Sequence, residues 1–466
     1  MTLTPHSPTQ IGILTPTGML GGGFSPETVQ RGLDLGADVI TVDAGSTDSG
    51  PFYLGTGTAK TTAAAVAGDL RILLRAAAQA QIPLIIGSCG TSGTDSGVDW
   101  VAALTRDILT EENLTLRIAT IYSEQRPADL VTALENGLVQ PLAPSGPLEA
   151  ATLRSCEHVV AMMGHEPIAE ALLAGADVIL AGRATDTALA AAYPLMMGYP
   201  AGPCWHAAKI VECGGMCTTN PRAGGVFAII DADGFTLEPL DPASACTPQS
   251  VAAHMLYETV NPYQMREPAG TIIVTDATYT ALDERRVRVE HSRFEPAEQY
   301  TNKLEGSAIA GYETMSFVGI RDPRILASID EWAALFNTVV RDRVQHVLGL
   351  APADYAMDLR LYGHNAILGA AEPHRGAPHE VGVMLLTRAR QQATATAIAK
   401  VANPLLLHLP LPGATHLPSF AFATSPAETE RGAAYEFVLN HVVTVDSPTA
   451  LFRTVRDRLG ITMAHA

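Results

Sequence analysis

From residue 10 to about residue 220 the chain alternates short apolar runs with longer Ala- and Leu-rich stretches, the pattern of βα units built around a parallel sheet. The runs Ile11 to Leu14, Asp38 to Val42, Pro83 to Gly87, Leu116 to Tyr122, His158 to Met163 and Asp177 to Ala181 read as strands. Their apolar residues are near-continuous rather than alternating, which predicts strands covered on both faces. After about residue 221 the texture changes. Val226 to Glu238, Thr271 to Tyr279 and Arg286 to Phe294 read as strands joined by turns such as the one from Asp231 to Gly234, so antiparallel pairing is expected. Further strands are expected near Thr314 to Ile320, Met357 to Tyr362 and Val381 to Leu386, with helices near Arg324 to Leu348 and Thr387 to Ala402. The Pro-rich stretch Leu407 to Ser419 reads as a linker or lid. A strand from Tyr435 to Val445 and a helix from Thr449 to Leu459 close the pattern. The predicted fold class is α/β: a largely parallel sheet with flanking helices in the N-terminal half (residues 1–220), followed by a smaller α+β region (residues 221–466).

Two segments resemble each other, GLDLGADVITVDAG from Gly32 to Gly45 and LLAGADVILAGRATD from Leu172 to Asp186. Each is a helix end, a Gly-Ala-Asp turn, a buried strand and a polar loop. Internal duplication of one αβ unit accounts for this, and so does the common use of such a turn before a buried strand. In either case both polar loops leave the carboxyl ends of strands, where open sheets collect ligands.

Composition narrows the function classes. With 466 residues, 47% hydrophobic and 6% aromatic, the chain is expected to form two or three domains whose cores rely on Ala, Val, Leu and Ile. A formal charge of -18 offers no basic face to nucleic acid or an anionic bilayer, so neither is an expected partner. A small anionic substrate is not excluded, since one or two local cations and a few N–H groups suffice to hold it. The opening Met1 to Gln10 lacks the basic start and apolar run of a secretory signal, and six cysteines spread along the chain do not form a dense disulfide framework. A cytoplasmic protein with reduced thiols is expected.

Four loops carry candidate chemistry. TPTGMLGGGFS, Thr15 to Ser25, follows a strand and precedes a helix; its Gly18, Gly22 and Gly23 suit a nest of N–H groups for an anion, or a plain flexible turn. In the loop from Asp43 to Tyr53, Asp43 and Asp48 bracket Ser46 and Thr47; these can supply a general base, orient a hydroxylated substrate, hold a divalent metal, or form only Asx-turn and cap bonds. Ser88, Cys89 and Gly90 open a third loop, where a helix N-terminus can activate a thiol or backbone N–H groups can cradle an oxyanion; a buried, inert Cys89 is the simpler reading. In the fourth, Arg183 follows a buried strand and requires a carboxylate partner, either the substrate or Asp186 or Asp43. Downstream, Glu212 lies beside Lys209 on an expected helix and is a candidate base or an ion-pair partner. Cys213 and Cys217 form half of a zinc pattern without a second pair, so no structural zinc is expected there. His364, His374, His379, Glu372 and Glu380 crowd the stretch from Tyr362 to Glu380, which fits a metal or acid/base site, with His379 and Glu380 as its catalytic candidates, or a solvated loop.

The glycine-rich opening, Ala44 to Asp48 (AGSTD), Ile85 to Ser88 (IIGS), Gly182-Arg183, Val211 to Gly215 (VECGG), Leu304 to Gly306 (LEG), Gly319 to Pro323 (GIRDP) and His379 to Gly382 (HEVG) together resemble the acyclic terpene utilisation, or AtuA-like, family, in order along nearly the whole chain. The resemblance implies catabolism beside enzymes of acyl-CoA or dicarboxylate chemistry. It also implies a small partner subunit, because some relatives carry an extra small C-terminal unit while in others that unit is a separate polypeptide. Ser88-Cys-Gly departs from the Ser-Ala-Gly associated with relatives, so a family-wide nucleophile at Cys89 is not implied.

No nicotinamide fingerprint, kinase motif, nucleophile elbow or metalloprotease helix is present. The remaining parts suit proton abstraction beside a carboxylate or thioester carbonyl, and a lyase of hydratase, dehydratase or isomerase type is the expected function. A non-catalytic acyl-binding or scaffold subunit of a carboxylase-like complex, and a metal-dependent amide hydrolase, are the alternatives. In the lyase reading Arg183 and the glycine loop bind the substrate carboxylate, with Ser46, Thr47, Ser88, Cys89, Gly90 and Asp186 beside them. Asp43, Asp48 or Glu212 is then the base or a metal ligand. A small carboxylate or acyl-CoA is the expected substrate, and a homo-oligomer the expected assembly.

Overall fold

The computed structural model describes residues 9–457 apart from residues 223, 375 and 416. The chain forms two compact units, one from the chain up to Ala308 together with the segment from Phe437 onward, the other from Ile309–Glu436.

The first unit is built on a ten-stranded sheet. Its strands in chain order are β1 (Ile11–Thr15), β2 (Val39–Asp43), β3 (Leu84–Gly87), β4 (Ile118–Tyr122), β5 (Val178–Ala181), β6 (Val226–Ile230), β7 (Gly234–Pro239), β8 (Thr278–Ala281), β9 (Val287–Glu290) and β10 (Arg453–Asp457). Across the sheet the order is β8-β9-β7-β6-β1-β2-β3-β5-β4-β10. The five central strands, β1 to β5, are parallel, whereas β6 to β9 on one side and β10 on the other are antiparallel additions. The sheet is therefore mixed, which corrects the expectation of a largely parallel one. Connections decide this: long helical crossovers separate the central strands, while the short links after β6 and β8 allow only an antiparallel return. The change of texture near residue 221 is this switch, and β6 joins the same sheet through β1.

Helices cover both faces, as the continuous apolar strands require. Ile13, Val39, Ile85 and Ile179 point toward α4 (Glu166–Leu173), α5 (Asp186–Met196) and α6 (Ala201–Val211). Their neighbours Leu14, Ile40, Ile86 and Leu180 point toward α1 (Pro26–Asp34), α2 (Ala63–Ala80) and α3 (Asp95–Glu111). Gly87 lets α5 approach β3 closely: a β-carbon there would lie 2.3 Å from Leu189.

The repeated Gly-Ala-Asp turns have the same physical cause. Gly36 and Gly175 end their helices at φ of 90° and 87°, which glycine adopts without strain. Asp38 then accepts the Gly12 N–H at 2.7 Å, and Asp177 accepts the Arg117 N–H at 2.8 Å, so each carboxylate ties the start of its strand to the strand beside it.

Two elements depart from expectation. The run His158 to Met163 is not part of the parallel sheet; the strand Cys156–Ala161 instead pairs antiparallel with Leu304 to Ala308. The closing segment expected as a helix from Thr449 forms β10, antiparallel to β4; residues 458 and 459 lie outside the described residues. Edge pairing overrides helix propensity there, with the Arg453 guanidinium 3.9 Å above the Tyr122 ring and Arg106 Nε 3.0 Å from Asp457.

In the second unit the strands Tyr355–Tyr362 and Val381–Ala389 pair antiparallel with each other, and Val381–Ala389 pairs with residues 312–320 of the long strand Thr301–Ile320. Trp332, Phe336 and Val340 of α7 (Ile329–Leu348) and Ile398 and Ala402 of α8 (Gln392–His408) fill its core. Among the described residues no helix is long and apolar enough to cross a membrane.

Ile85 is fully buried between the two helical layers. Ile85→Ala is expected to destabilise the first unit by about 2–5 kcal/mol. Urea denaturation checks this: the midpoint should fall with little change in slope.

Candidate active site

β2, β3 and β5 end side by side, and the loops that leave them interlock through glycine. A β-carbon at Gly45 would lie 2.6 Å from Thr91 Cα, and one at Gly93 would lie 2.1 Å from the Arg183 amide nitrogen. Ser88 and Thr91 hold left-handed backbones, φ 48° and 82°, at a cost of roughly 1–2 kcal/mol each. Strain of this kind persists only where the surroundings over-determine it.

Arg183 is the centre of this arrangement, and it is 4% exposed. Its Nε donates to Glu305 at 2.9 Å. Its Nη1 donates to the Ala184 carbonyl at 2.9 Å, to Asp186 at 3.1 Å and to Ser88 Oγ at 3.2 Å. The partner that a buried guanidinium demands is thus the chain itself, and the glutamate of Leu304-Glu-Gly306 supplies most of it. Of the partners expected for Arg183, Asp186 is found in contact with it and Asp43 is not, and Glu305 is added. Glu305 in turn is held down at about 2: burial alone would raise it, but Arg183 and then Lys303 outweigh that.

A cavity of about 420 Å³ opens beside these loops, lined by Gly18, Asp43, Ser46, Asp48, Lys60, Asp186, Cys213 and Glu258 among others. Four carboxylates therefore face one space. Asp43 is buried and Asp48 exposed; Ser46 caps the short turn that follows, accepting the Asp48 N–H at 3.2 Å, while Thr47 is buried under it. Burial raises Asp43 well above the ordinary carboxylate range and the charge of Asp186 raises it further, against a smaller opposing pull from Arg183. Burial also raises Asp186, but there the Arg183 guanidinium opposes it directly. Lys60 lines the same cavity with its ammonium 2.7 Å from Ser49 Oγ; no carboxylate pairs with it among the described residues.

Behind the cavity Lys209 and Glu212, both nearly fully buried at the end of α6, form a direct ion pair. Burial pushes Glu212 up to about 8, with Lys209 pulling it down and Asp186 adding to the rise. A larger cavity of about 720 Å³ lies along Met162, Thr185, Arg266, Glu267 and Lys303. Buried Glu267 accepts from Thr187 Oγ1 at 2.6 Å, with the Thr185 hydroxyl also acting on it. Burial raises this acid to about 7.

Other expected site residues are placed differently. The glycine loop does form an N–H nest, yet its occupant is internal: Gly21 and Gly23 donate to Asp69 at 2.7 and 3.2 Å, and Gly22 donates to the Met19 carbonyl. The N–H groups of Gly22 and Gly23 thus have partners within the chain, while Gly18 lines the cavity and allows the close approach of Cys213. Cys89 is fully buried, its thiol pushed far up by burial and then by Asp43, so it is no activated thiolate. Gly90 supports the loop by touching Gly97, where a β-carbon would lie 2.3 Å away. His379 and Glu380 belong to the second unit and are exposed. His364 there bonds Asp330 at 2.9 Å, and among the described residues the stretch gathers no three metal-ligating groups; Arg375 lies outside them. Lys60, Glu267 and Glu305 were not singled out from sequence. Only Glu305 left a signal, as the acid of a recognised motif.

Glu305→Ala leaves a buried guanidinium undercompensated and is expected to destabilise the protein by about 3–5 kcal/mol. The pH dependence has a definite sign. Because folding lowers the Glu305 pKa from 4.5 to about 2, its contribution is present above 4.5 and is lost as pH falls toward 2. Urea denaturation over that range should show the gap between wild type and Glu305→Ala narrowing as the medium becomes more acid.

No curated protein and no solved structure matches the chain. The family model described as acyclic terpene utilisation family protein AtuA matches residues 57–441, a span that holds Lys60, Arg183, Asp186, Glu212 and Glu305 and leaves the Asp43 loop before it. The chain belongs to the acyclic terpene utilisation (AtuA) family.

Proposed function

We propose that the protein is a catabolic lyase, of hydratase, dehydratase or isomerase type, acting on a small carboxylate or its thioester. One observation carries this reading: Asp43 and Asp186 face the same cavity, burial raises both acids, and only Asp186 touches the Arg183 guanidinium directly. Two coupled carboxylates in a poorly hydrated site oppose each other's ionisation. The first proton leaves Asp186, whose charge Arg183 balances at 3.1 Å, and the second stays on Asp43. Asp186 is then the base that removes a proton next to a carbonyl. Asp43 is the acid that protonates a departing hydroxyl or returns the proton at another carbon. Lys60 anchors the substrate's carboxylate or carbonyl, because it is a cation of the cavity with no carboxylate paired to it among the described residues. The family's association with acyclic terpene utilisation supports a catabolic role.

The test is proton exchange in D₂O followed by NMR over a panel of small carboxylates and acyl-CoA thioesters. Wild type is expected to incorporate deuterium beside the carbonyl, or to add or lose water, with at least one of them. Asp186→Asn should slow this by about 100-fold or more. Lys60→Ala should raise KM by about tenfold, the effect of losing one charge-assisted contact. A substrate that shifts the melting temperature yet undergoes no exchange or turnover would overturn the lyase reading in favour of an acyl-binding subunit.

A further inference from the structure

We propose that Glu212, Cys213 and His254 form a zinc site whose fourth position opens into the acidic cavity. A carboxylate oxygen, the Cys213 sulfur and a ring nitrogen of His254 all lie within 4.8 Å of one another, the spacing at which one ion can touch all three. The donors come from separate places in the chain: Glu212 and Cys213 follow the end of α6, and His254 ends the helix Pro248–His254.

The second observation comes from His254. Its side chain is 5% exposed, and its Nε2 is buried without a hydrogen-bond partner. A buried, unpartnered polar atom costs roughly 1–3 kcal/mol, and a metal bond removes that cost. The ring is stacked on Tyr257 at 5.6 Å, which fixes its orientation. Burial keeps it neutral, as a metal ligand must be.

The donor set selects the ion. One sulfur, one imidazole and one carboxylate suit borderline-soft zinc better than magnesium or calcium, which take oxygen ligands. Three protein ligands with an open fourth position are the arrangement of sites that bind water or substrate rather than of closed structural sites. Cys213 lines the cavity, so the open position faces it. On binding, the zinc–sulfur bond replaces the sulfur–hydrogen bond and the proton passes to solvent. The Lys209 ammonium on Glu212 opposes the cation, and the carboxylates of Asp186 and Glu258 offset it.

The site does not depend on the lyase reading, and its test requires no turnover. The full chain, dialysed against zinc and then against metal-free buffer, is expected to retain about one zinc per chain by elemental analysis and to lose it to a chelator. Cobalt in its place should give the near-ultraviolet thiolate-to-metal charge-transfer band. Cys213→Ser should abolish that band, and His254→Gln should lower retained zinc at least tenfold, a loss of the size expected for one ligand. Cys156→Ser, outside the cluster, should leave both unchanged, and circular dichroism should show each variant folded. Absence of zinc above background in the wild type, or equal retention in Cys213→Ser and His254→Gln, would overturn the proposal. Deuterium exchange by Asp43 and Asp186 is read separately, so either idea can fail without the other.

Discussion

A guanidinium 4% exposed at the end of a central parallel strand cannot exist without anions around it, and the need to surround Arg183 organises the first unit. Glu305 takes one side of the fork, while Asp186, the Ala184 carbonyl and Ser88 Oγ take the other. To bring those groups within reach, the loops after β2, β3 and β5 must touch backbone to backbone. Glycine at 45 and 93 is what allows it, since a side chain at either would overlap Thr91 or Arg183. The left-handed Ser88 and Thr91 follow from the same crowding. The site's rigidity is thus a consequence of one buried charge and the backbone that encloses it.

Neutralising Arg183 does not exhaust the acids nearby. Glu305 and Asp186 share Arg183, Lys303 also pairs with Glu305, and Lys209 is taken up by Glu212. Asp43, Asp186 and Glu267 are left in poorly hydrated surroundings, and burial is the largest influence raising each of them. An interior with more carboxylates than cations must hold protons or bind cations. Either outcome is useful chemically: a held proton is a general acid, and a bound cation organises substrate oxygen. Stability alone would favour replacing such groups with apolar ones, so their density at the carboxyl ends of the strands reads as function.

The sequence made the central strands legible because continuous Val, Ile and Leu runs of four or five residues between helical stretches leave few alternatives. It did not make strand partnership legible. His158 to Met163 looks the same whether it joins the parallel sheet or pairs with Leu304 to Ala308, since pairing is decided by residues more than a hundred positions away. β10 was hidden for the same reason: its Arg and Asp residues find partners on Tyr122 and Arg106 that local pattern does not reveal. In the site, Asp43, Asp186 and Arg183 were legible as polar residues directly after buried strands. The occupant of the glycine nest was not, because Asp69 lies mid-helix in α2 and carries no mark of its role. Lys60 and His254 were equally silent, each an ordinary residue until folding sets it beside a cavity or leaves its nitrogen without a partner.

The first turn of α5 joins these themes. Thr185 caps the helix and lines the larger cavity, Asp186 beside it lines the acidic one, and Thr187 holds Glu267. Thr185 and Thr187, whose hydroxyls lie 3.1 Å apart, thus serve the larger cavity, while Asp186 between them turns to the acidic one, as rotation of about 100° per residue allows. A helix N-terminus favours ionised carboxylate nearby, and Arg183 adds to that preference at Asp186. Asp43 accepts the Gly45 N–H at 3.3 Å, and Arg183 lowers it through charge rather than through a hydrogen bond. In the proposed division of roles, the helix start and the Arg183 contact both favour the ionised form at Asp186, while burial raises Asp43 well above the ordinary carboxylate range.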